Sequence, residues 1–278
     1  MRRAVAANLL KALGLLAALC LLFGGIGWLV GGYRGLLHFL GCAVGLSGAV
    51  WAYGDRFVLG MLGARELLLA EAPAVHSAVE RLAARARVAK PKLYVLEDGH
   101  PRALAVGRGP RGSALAVSHG LLGAATPAEL DGVLAHELAH VARRDVLVQT
   151  VAVVVAATLI ELSRIGGLLE RALLFVLAPV ASAFVHLLLS PRREFAADRS
   201  AAELCESPHG LADALIRLEL AGELIEFRAS PATEPVYTVN PFVEEGLAAL
   251  FVTHPPPGER VRRLRALDPE WRDRLRAA

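Results

Sequence analysis

The sequence predicts a mainly α-helical membrane protein with a small β-sheet, and three observations support that prediction. Hydrophobic residues make up 55% of the 278 residues, and the mean hydropathy of +0.46 is too high for an ordinary soluble domain. Long uncharged runs occur at the start of the chain and again after its middle. Between these runs, short strand-like segments precede an amphipathic helix.

Two uncharged runs, residues 12–33 and 35–53, each have about the 20 residues that a helix needs to cross the hydrocarbon core of a bilayer. The first is long for a signal peptide and lacks a small-residue cleavage site, so we interpret it as a retained anchor. Residues 146–162 and 172–190 are also apolar. We interpret them as a second membrane hairpin, although a buried pair of helices in a soluble domain has a similar pattern.

The distribution of basic residues predicts the orientation in the membrane, because cytoplasmic segments are enriched in lysine and arginine. The short connections carry only Arg34 in the first hairpin, and Arg164 and Arg171 in the second. The opposite ends carry Arg2, Arg3, Lys11, Arg56, Arg65, Arg143, Arg144, Arg192 and Arg193. The sequence therefore predicts a multi-pass protein of the inner (plasma) membrane, with both termini and the region between the hairpins in the cytoplasm.

Charge and cysteine content argue against a nucleic-acid-binding protein, a disulfide-stabilised protein and a thiolate zinc protein. The net charge is only +3 and no nucleic-acid-binding motif is recognised, so the lipid bilayer is the expected partner of the basic residues. Cys20, Cys42 and Cys205 are scattered, which gives neither a disulfide framework nor a thiolate zinc site. The sequence makes no prediction of the oligomeric state.

The segment between the two apolar pairs predicts a small sheet. Strands are expected at residues 92–96, 103–106 and 114–118, with a glycine-rich turn at 107–112. An edge strand of this sheet could accept an extended peptide by strand addition. A sheet that serves only as core is equally compatible with the pattern.

The most informative motif is H-E-x-x-H at residues 136–140. On a helix, His136 and His140 share one face and can bind a single metal ion, while Glu137 is available as a base for an attacking water. This arrangement is typical of zinc peptidases. The bare pattern also occurs on solvated surface helices, but here it follows a predicted capping box between Thr126 and Glu129.

A catalytic zinc site takes three protein ligands, and the third is expected to be Glu194. A proline at residue 191 marks the start of a helix, and we expect the chain beyond Asp198 to be helical to about residue 228. Asp198 lies one turn after Glu194 and could accept a hydrogen bond from a ligating histidine. Alternatively, Glu194 only stabilises the helix N-terminus and Asp198 is solvated.

Taken together, these segments resemble the HtpX branch of the Ste24-like membrane zinc peptidases. The resemblance covers most of the chain and rests on GMLGAREL, AVGRGPRGSALAVSHGLL, LDGVLAHELAHVARRD, SPRREFAAD and FVTHPPPGERVRRLRAL. It implies a zincin-like (gluzincin) cytosolic domain that holds one zinc ion per chain. It also implies an endopeptidase that cleaves misfolded or damaged membrane proteins, or other unfolded polypeptides, in protein quality control.

The resemblance also implies roles for individual residues. His136, His140 and Glu194 would be zinc ligands, Glu137 the catalytic base, and Asp198 the family's aspartate four residues after the third ligand. Further positions could bind substrate or brace the fold: Ala103, Leu104, His254 and Arg260. The chain departs from the family where Arg102 replaces an edge-strand asparagine and His119 replaces a common threonine, so the peptide preference of the edge strand is in doubt.

The predicted organisation has four parts. Residues 1–55 form the first membrane hairpin, 56–145 the first part of the catalytic domain, 146–190 the second apolar pair, and 191–278 the remainder of the catalytic domain. Two rival functions are kept open. One is processing of prenylated peptides, for which about four spans are too few to enclose a chamber; the other is a zinc-holding scaffold, which would not need Glu137.

Overall fold

The structure, a computed structural model, describes residues 2–164, 191–224, 255–268 and 270. The predicted fourth span and His254 lie outside the described residues. The helices are α1 Arg2–Met61, α2 Pro73–Ala86, α3 His119–Ala124, α4 Pro127–Arg143, α5 Asp145–Arg164, α6 Pro191–Cys205, α7 His209–Leu224 and α8 Pro257–Arg265. The strands are β1 Arg65–Glu66, β2 Lys92–Leu96, β3 Ala103–Gly109 and β4 Gly112–Ser118. A mainly helical protein with a small sheet is therefore confirmed.

Helix α1 reverses direction at Gly31 and Gly32, whose backbone angles are not helical. Gly32 has a φ of 54°, a conformation that glycine adopts without steric cost. The two arms then run side by side: the Cys20 Sγ lies 3.7 Å from the Ser47 Oγ. The first two apolar runs thus form an antiparallel helical hairpin.

Most of the exposed large apolar side chains among the described residues lie on α1. Leu29 is 85% exposed, Leu21 77% and Val30 74%. Such a continuous apolar surface is unusual on a soluble protein and is typical of a membrane-contacting surface. By length and composition, one helix of the described residues could cross a membrane, Val5–Met61, with a hydropathy of 2.3.

Helix α5 contains the third predicted span, and its segment Asp145–Ala157 is apolar. These residues are buried between the α1 hairpin and β3. The backbone N–H of Gly107 on β3 donates to the Thr150 Oγ1 of α5 over 2.9 Å. A second membrane hairpin therefore stays a prediction.

The sheet has the strand order β1-β2-β4-β3 and is mixed. Strands β2 and β4 are parallel, whereas β1 pairs with β2, and β3 with β4, in antiparallel fashion. Strand β2 has the predicted bounds, and β3 and β4 extend to meet at the predicted turn. Among the described strands, β3 lies at one edge of the sheet.

Both faces of the sheet are covered, because alternate side chains of each strand point to opposite faces. Leu96, Leu104 and Ala116 pack with α1 and α5. Val95 and Leu115 pack instead with α2, α4, α6 and α7. The sheet thus separates the apolar hairpin from the helices of the site.

Helix α4 is anchored at its start by the predicted capping box, which is confirmed. The Thr126 backbone N–H donates to the Glu129 Oε2 over 2.7 Å, and the Glu129 N–H donates to the Thr126 Oγ1 over 3.3 Å. The Arg217 side chain of α7 holds the same Glu129 carboxylate, with its Nη2 3.0 Å from Oε1. The capping box fixes the start of α4, and the Arg217 contact fixes α4 against α7. Helix α4 is therefore a rigid support for the histidines.

The chain beyond Asp198 is helical as far as Leu224, as expected, but a break divides this part into two helices, and residues 225–228 lie outside the described residues. Helix α6 ends at Cys205, Glu206 has a left-handed φ of 57°, and α7 begins at His209. The reason is Pro208, which disfavours helical geometry in the residue before it and has no N–H to continue the helix. The break lets α7 turn back onto α4.

Candidate metal centre

Two histidines on α4 face each other at the centre of the site. His136 and His140 are one turn apart on the helix and both are buried. Their Nε2 atoms are 3.1 Å apart, and their rings meet edge to face with centroids 4.7 Å apart. The i, i+4 spacing thus brings two ring nitrogens to one point, as the motif predicts.

Helix α6 adds Glu194 to this pair. The Glu194 Oε2 lies 3.5 Å from the His136 Nε2 and 3.6 Å from the His140 Nε2, and the glutamate is completely buried. Nitrogen and oxygen ligands of a tetrahedral zinc ion, each at about 2.0–2.2 Å from the metal, lie about 3.3 Å from one another. The three atoms therefore have the spacing of three corners of a zinc tetrahedron, and the residues present fit the metal.

The glutamate of the motif, Glu137, is also on α4 and is only 3% exposed. The buried Arg260 of α8 attracts both Glu137 and Glu194 electrostatically. The Arg193 guanidinium lies 3.1 Å from the Glu194 Oε1. Two buried cations therefore balance the carboxylates that surround the histidine pair.

His136 has a carboxylate partner on α6. Its Nδ1 lies 2.9 Å from the Asp198 Oδ1, which leaves Nε2 directed at Glu194. Arg260 donates two hydrogen bonds to the Asp198 carboxylate, from Nε to Oδ2 over 2.9 Å and from Nη2 to Oδ1 over 2.7 Å. Burial alone would raise the pKa of Asp198, but the Arg260 charge outweighs it and lowers that pKa to about 2. Asp198 is thus a buried anion, not a solvated surface residue.

His140 has its own carboxylate partner, Asp145, which sequence reasoning missed. The His140 Nδ1 lies 3.0 Å from the Asp145 Oδ2. The Asn8 side chain of α1 donates to the Asp145 Oδ1 over 2.6 Å, and Arg143 donates to Oδ2 over 3.2 Å. Burial would lower the pKa of His140, but the charges of Glu194 and Asp145 outweigh burial and raise it to about 9 in the metal-free site.

Asp145 is the fifth residue after His140, so helical spacing does not place the two together. Arg144, with a left-handed φ of 60°, ends α4 and turns the chain so that Asp145 points back at the histidine. A charged residue at the first position of an apolar segment was the available signal in the sequence. Its partner Asn8 offered none, because it lies 137 residues away.

Of the positions named for substrate binding or bracing, Ala103 and Leu104 lie on β3 and Arg260 lies on α8, whereas His254 is outside the described residues. Ala103 and Leu104 are fully buried, so their side chains contribute to the core. Arg102 forms an ion pair with Asp98, and its backbone N–H donates to the Ser118 Oγ over 3.0 Å. Of the residues predicted to bind substrate or brace the fold, Arg260 has an observed structural contact, the bracing of Asp198.

His119, the second departure from the family pattern, lies outside this cluster. Its side chain is 50% exposed and its Nε2 is 3.0 Å from the Glu97 Oε2. It therefore contributes a surface ion pair rather than a group of the metal centre.

A histidine pair on one helix with a converging glutamate, in a helical fold with a small mixed sheet, defines a metallopeptidase of the H-E-x-x-H class. The comparison with protein families agrees, because the family described as peptidase family M48 matches residues 69–268. The chain belongs to this family.

Relatives extend the likeness to the whole chain. It is 40% identical over 267 residues to a "Protease HtpX homolog" of Salinibacter ruber, covering 92% of this chain and 97% of the relative. It is 37% identical to the protein of the same name from Pelotomaculum thermopropionicum, over 94% of this chain and 99% of the relative. The chain is thus a membrane-associated metalloprotease.

Among solved structures, the crystal structure of S. mikatae Ste24p is similar to this chain with a TM-score of 0.50. The sequence identity is 18%, and the match covers 95% of this chain but 66% of Ste24p. At this identity the likeness concerns the fold alone. It shows that the helices and the small sheet have the same overall arrangement as in Ste24p.

Proposed function

We propose that the chain is an integral membrane, zinc-dependent endopeptidase that hydrolyses peptide bonds of misfolded or damaged membrane proteins. The observation that carries the proposal is the convergence of His136, His140 and Glu194, with Glu137 beside them on α4. A structural zinc site would need the three ligands but no base. The similarity to relatives named as proteases supports the same choice over a zinc-holding scaffold.

In this proposal one zinc ion per chain is held by His136 Nε2, His140 Nε2 and Glu194 Oε2. When bound there, zinc polarises the scissile carbonyl and makes a water molecule nucleophilic near neutral pH. The three ligand atoms come from two helices that pack together, α4 and α6.

The remaining work falls to side chains of the chain itself. Glu137 accepts a proton from the attacking water and passes it to the leaving amine. Asp198 and Asp145 each hold the Nδ1 of one histidine, so that both Nε2 atoms stay directed at the site. Arg260 keeps Asp198 ionised and in place.

The proposal places the α1 hairpin across the inner (plasma) membrane, with the second apolar pair as a further hairpin and both termini and the metal centre in the cytoplasm. Support comes from the exposed apolar surface of α1 and from the basic residues at its ends. Reporter fusions at Arg34 and at both termini test the orientation. A reporter that works only in the cytoplasm should be inactive when it is fused at Arg34. Activity of this reporter at Arg34 would refute the proposed orientation.

The position of the site supports the proposed substrate class. Asn8 of the hairpin bonds Asp145, which in turn contacts His140, so the metal centre lies next to the membrane-contacting part of the chain. A site in this position is within reach of unfolded segments of membrane proteins. A prenylated peptide is the alternative, and parallel cleavage assays on the two substrates distinguish them.

The decisive experiment uses the full chain in detergent and the substitution Glu137→Gln. We expect zinc content near one ion per chain in both proteins and loss of cleavage of a denatured membrane protein in the variant. Glu203→Gln on α6 is the matched control, because that side chain is 70% exposed and lies outside the site.

Cleavage by Glu137→Gln at the wild-type rate would refute the assignment of the base. Zinc in the wild-type protein without turnover of any denatured substrate would favour the scaffold instead. Selective cleavage of the prenylated peptide would keep the chemistry and replace the substrate class.

A further inference from the structure

A basic pocket of about 720 Å³ lies outside the metal centre. It is lined by Arg87, Ala89, Arg108, Pro110, Arg111, Gly112 and Arg144. The four arginines come from the C-terminus of α2, from β3, from the β3–β4 turn and from the C-terminus of α4. Among the residues that the structure describes, no acidic side chain lines the pocket, so its walls carry positive charge from four separate parts of the chain.

The charge of this pocket is not neutralised by neighbouring carboxylates. Within residues 2–164, 191–224, 255–268 and 270, none of the four arginines forms an ion pair, whereas Arg143, next to Arg144, pairs with Asp145. Four guanidinium groups around one cavity repel one another. An anion with several oxygens would relieve this repulsion, and the planar, multi-donor guanidinium matches phosphate best.

The pocket is held together by backbone contacts. The Ala89 N–H donates to the Pro110 carbonyl over 2.8 Å, which fixes the end of α2 against the β3–β4 turn. Gly109 has a φ of 113°, and a Cβ at this position would lie 2.8 Å from the Cγ of Arg144. A glycine is therefore needed for the Arg144 side chain to pass beside the turn.

The pocket lies at the base of the apolar helices. Arg144 directly precedes α5, and the Gly107 N–H bonds Thr150 in the second turn of that helix. With a rise of 1.5 Å per residue, the turn reaches roughly 8 Å along α5 from its start. The arginines thus surround the level at which the apolar helices leave the catalytic domain, where the surface of the bilayer would lie.

We propose that this pocket, which we call the arginine pocket, binds the phosphate of an anionic phospholipid headgroup such as phosphatidylglycerol. The inference rests on the proposed insertion of α1 into the membrane. A headgroup held there links α2, β3 and α4 to the bilayer and sets the orientation of the metal centre relative to it. Arginines near an anionic membrane surface each strengthen binding by about a factor of five.

The test measures lipid binding to the full chain in detergent by native mass spectrometry, with phosphatidylglycerol and phosphatidylcholine as probes. The double variant Arg108→Gln, Arg111→Gln removes two charges from the pocket. We expect its preference for phosphatidylglycerol to fall roughly thirty-fold. The control Arg199→Gln, Arg262→Gln removes two charges that are exposed like Arg108 and Arg111 but lie outside the pocket, and it should keep the preference.

Equal losses in the two double variants would overturn the proposal, because general electrostatic attraction would then explain the binding. If inorganic phosphate or an acidic peptide binds the chain and neither lipid is preferred over the other, the pocket would be assigned to a different anion. Failure of the chain to bind either lipid or to associate with vesicles would refute the membrane insertion itself. Vesicle association without lipid preference would refute only the pocket.

Discussion

The two histidines of the metal centre are held by two carboxylates in different surroundings. Asp198, the partner of His136, is gripped by Arg260 and is enclosed by helices of the catalytic domain. Asp145, the partner of His140, begins the apolar helix α5 and is bonded by Asn8 of the α1 hairpin. One histidine therefore depends on the catalytic domain alone, and the other on the part of the chain that we place in the membrane.

Because the two carboxylates have different partners, the loss of each should have a different effect on stability. A buried ion pair such as Asp198–Arg260 needs both partners, since either charge alone is costly to keep away from water. The Asn8–Asp145 contact joins a neutral donor to a carboxylate and is weaker. We therefore expect the Asp198–Arg260 pair to determine the stability of the fold. We expect the Asn8–Asp145 contact to affect metal binding, because it connects the hairpin to the partner of His140.

The largest effect is expected for Arg260→Met, which leaves the Asp198 carboxylate buried without its cation. Loss of one partner of a buried pair typically costs about 3–5 kcal/mol. We expect a strongly lowered Tm and loss of bound zinc, measured by differential scanning fluorimetry and metal analysis. Arg262→Met, two residues away and 77% exposed, is the control. Similar Tm values for Arg260→Met and Arg262→Met would show that the Asp198–Arg260 ion pair does not stabilise the fold.

Next in size are Asp198→Asn and Asp145→Asn, which weaken the hold on one histidine each. Loss of such a partner typically lowers metal affinity about 10–100-fold. Only Asp198→Asn should also lower the Tm strongly, because it leaves Arg260 buried and unpaired. Competition with a zinc chelator and thermal unfolding separate the two effects. Asp213→Asn, 50% exposed, is the control, and identical Tm losses in both site variants would contradict the comparison.

A smaller effect is expected for Asn8→Ala, which removes the hairpin's contact with Asp145. Zinc affinity should fall by less than in Asp145→Asn, about three- to tenfold, because one hydrogen bond to a charged group is lost. Chelator competition in detergent measures the change. Leu10→Ala, on the same helix and 69% exposed, is the control. An unchanged affinity in Asn8→Ala would mean that the hairpin does not influence the metal centre.

The smallest effect is on pH dependence. In the metal-free chain the pKa of His140 is raised from 6.5 to about 9, so the fold favours the protonated ring. This stabilisation is fully present below pH 6.5 and is lost as the pH rises through 9. The Tm of the metal-free protein should thus fall by a few degrees over this interval.

His140→Gln should flatten that pH profile, whereas His119→Gln, whose side chain is 50% exposed, should not. Zinc affinity of the wild-type chain should rise over the same interval, because the ligand must lose its proton. A metal-free Tm that rises towards pH 9 would contradict the role given to Asp145 and Glu194.

Much of the fold could be predicted because its signals are local. The bounds of β2, the capping box of α4 and the shared face of His136 and His140 depend on residues within a few positions of each other. The helical character of the chain after Asp198 was also predictable, whereas the break at Glu206 before Pro208 was not predicted. The contact of Asn8 with Asp145 had no local signal at all.

By itself, the sequence determined the helix that carries H-E-x-x-H, the strands β2, β3 and β4 and the apolar hairpin, since periodicity and capping act between neighbours along the chain. Only the tertiary structure decided that Asp145 supports His140, that Arg260 locks Asp198, and that four arginines surround one pocket. These contacts join elements far apart in the sequence, and their energy depends on burial and on distances of a few ångströms, which only packing sets.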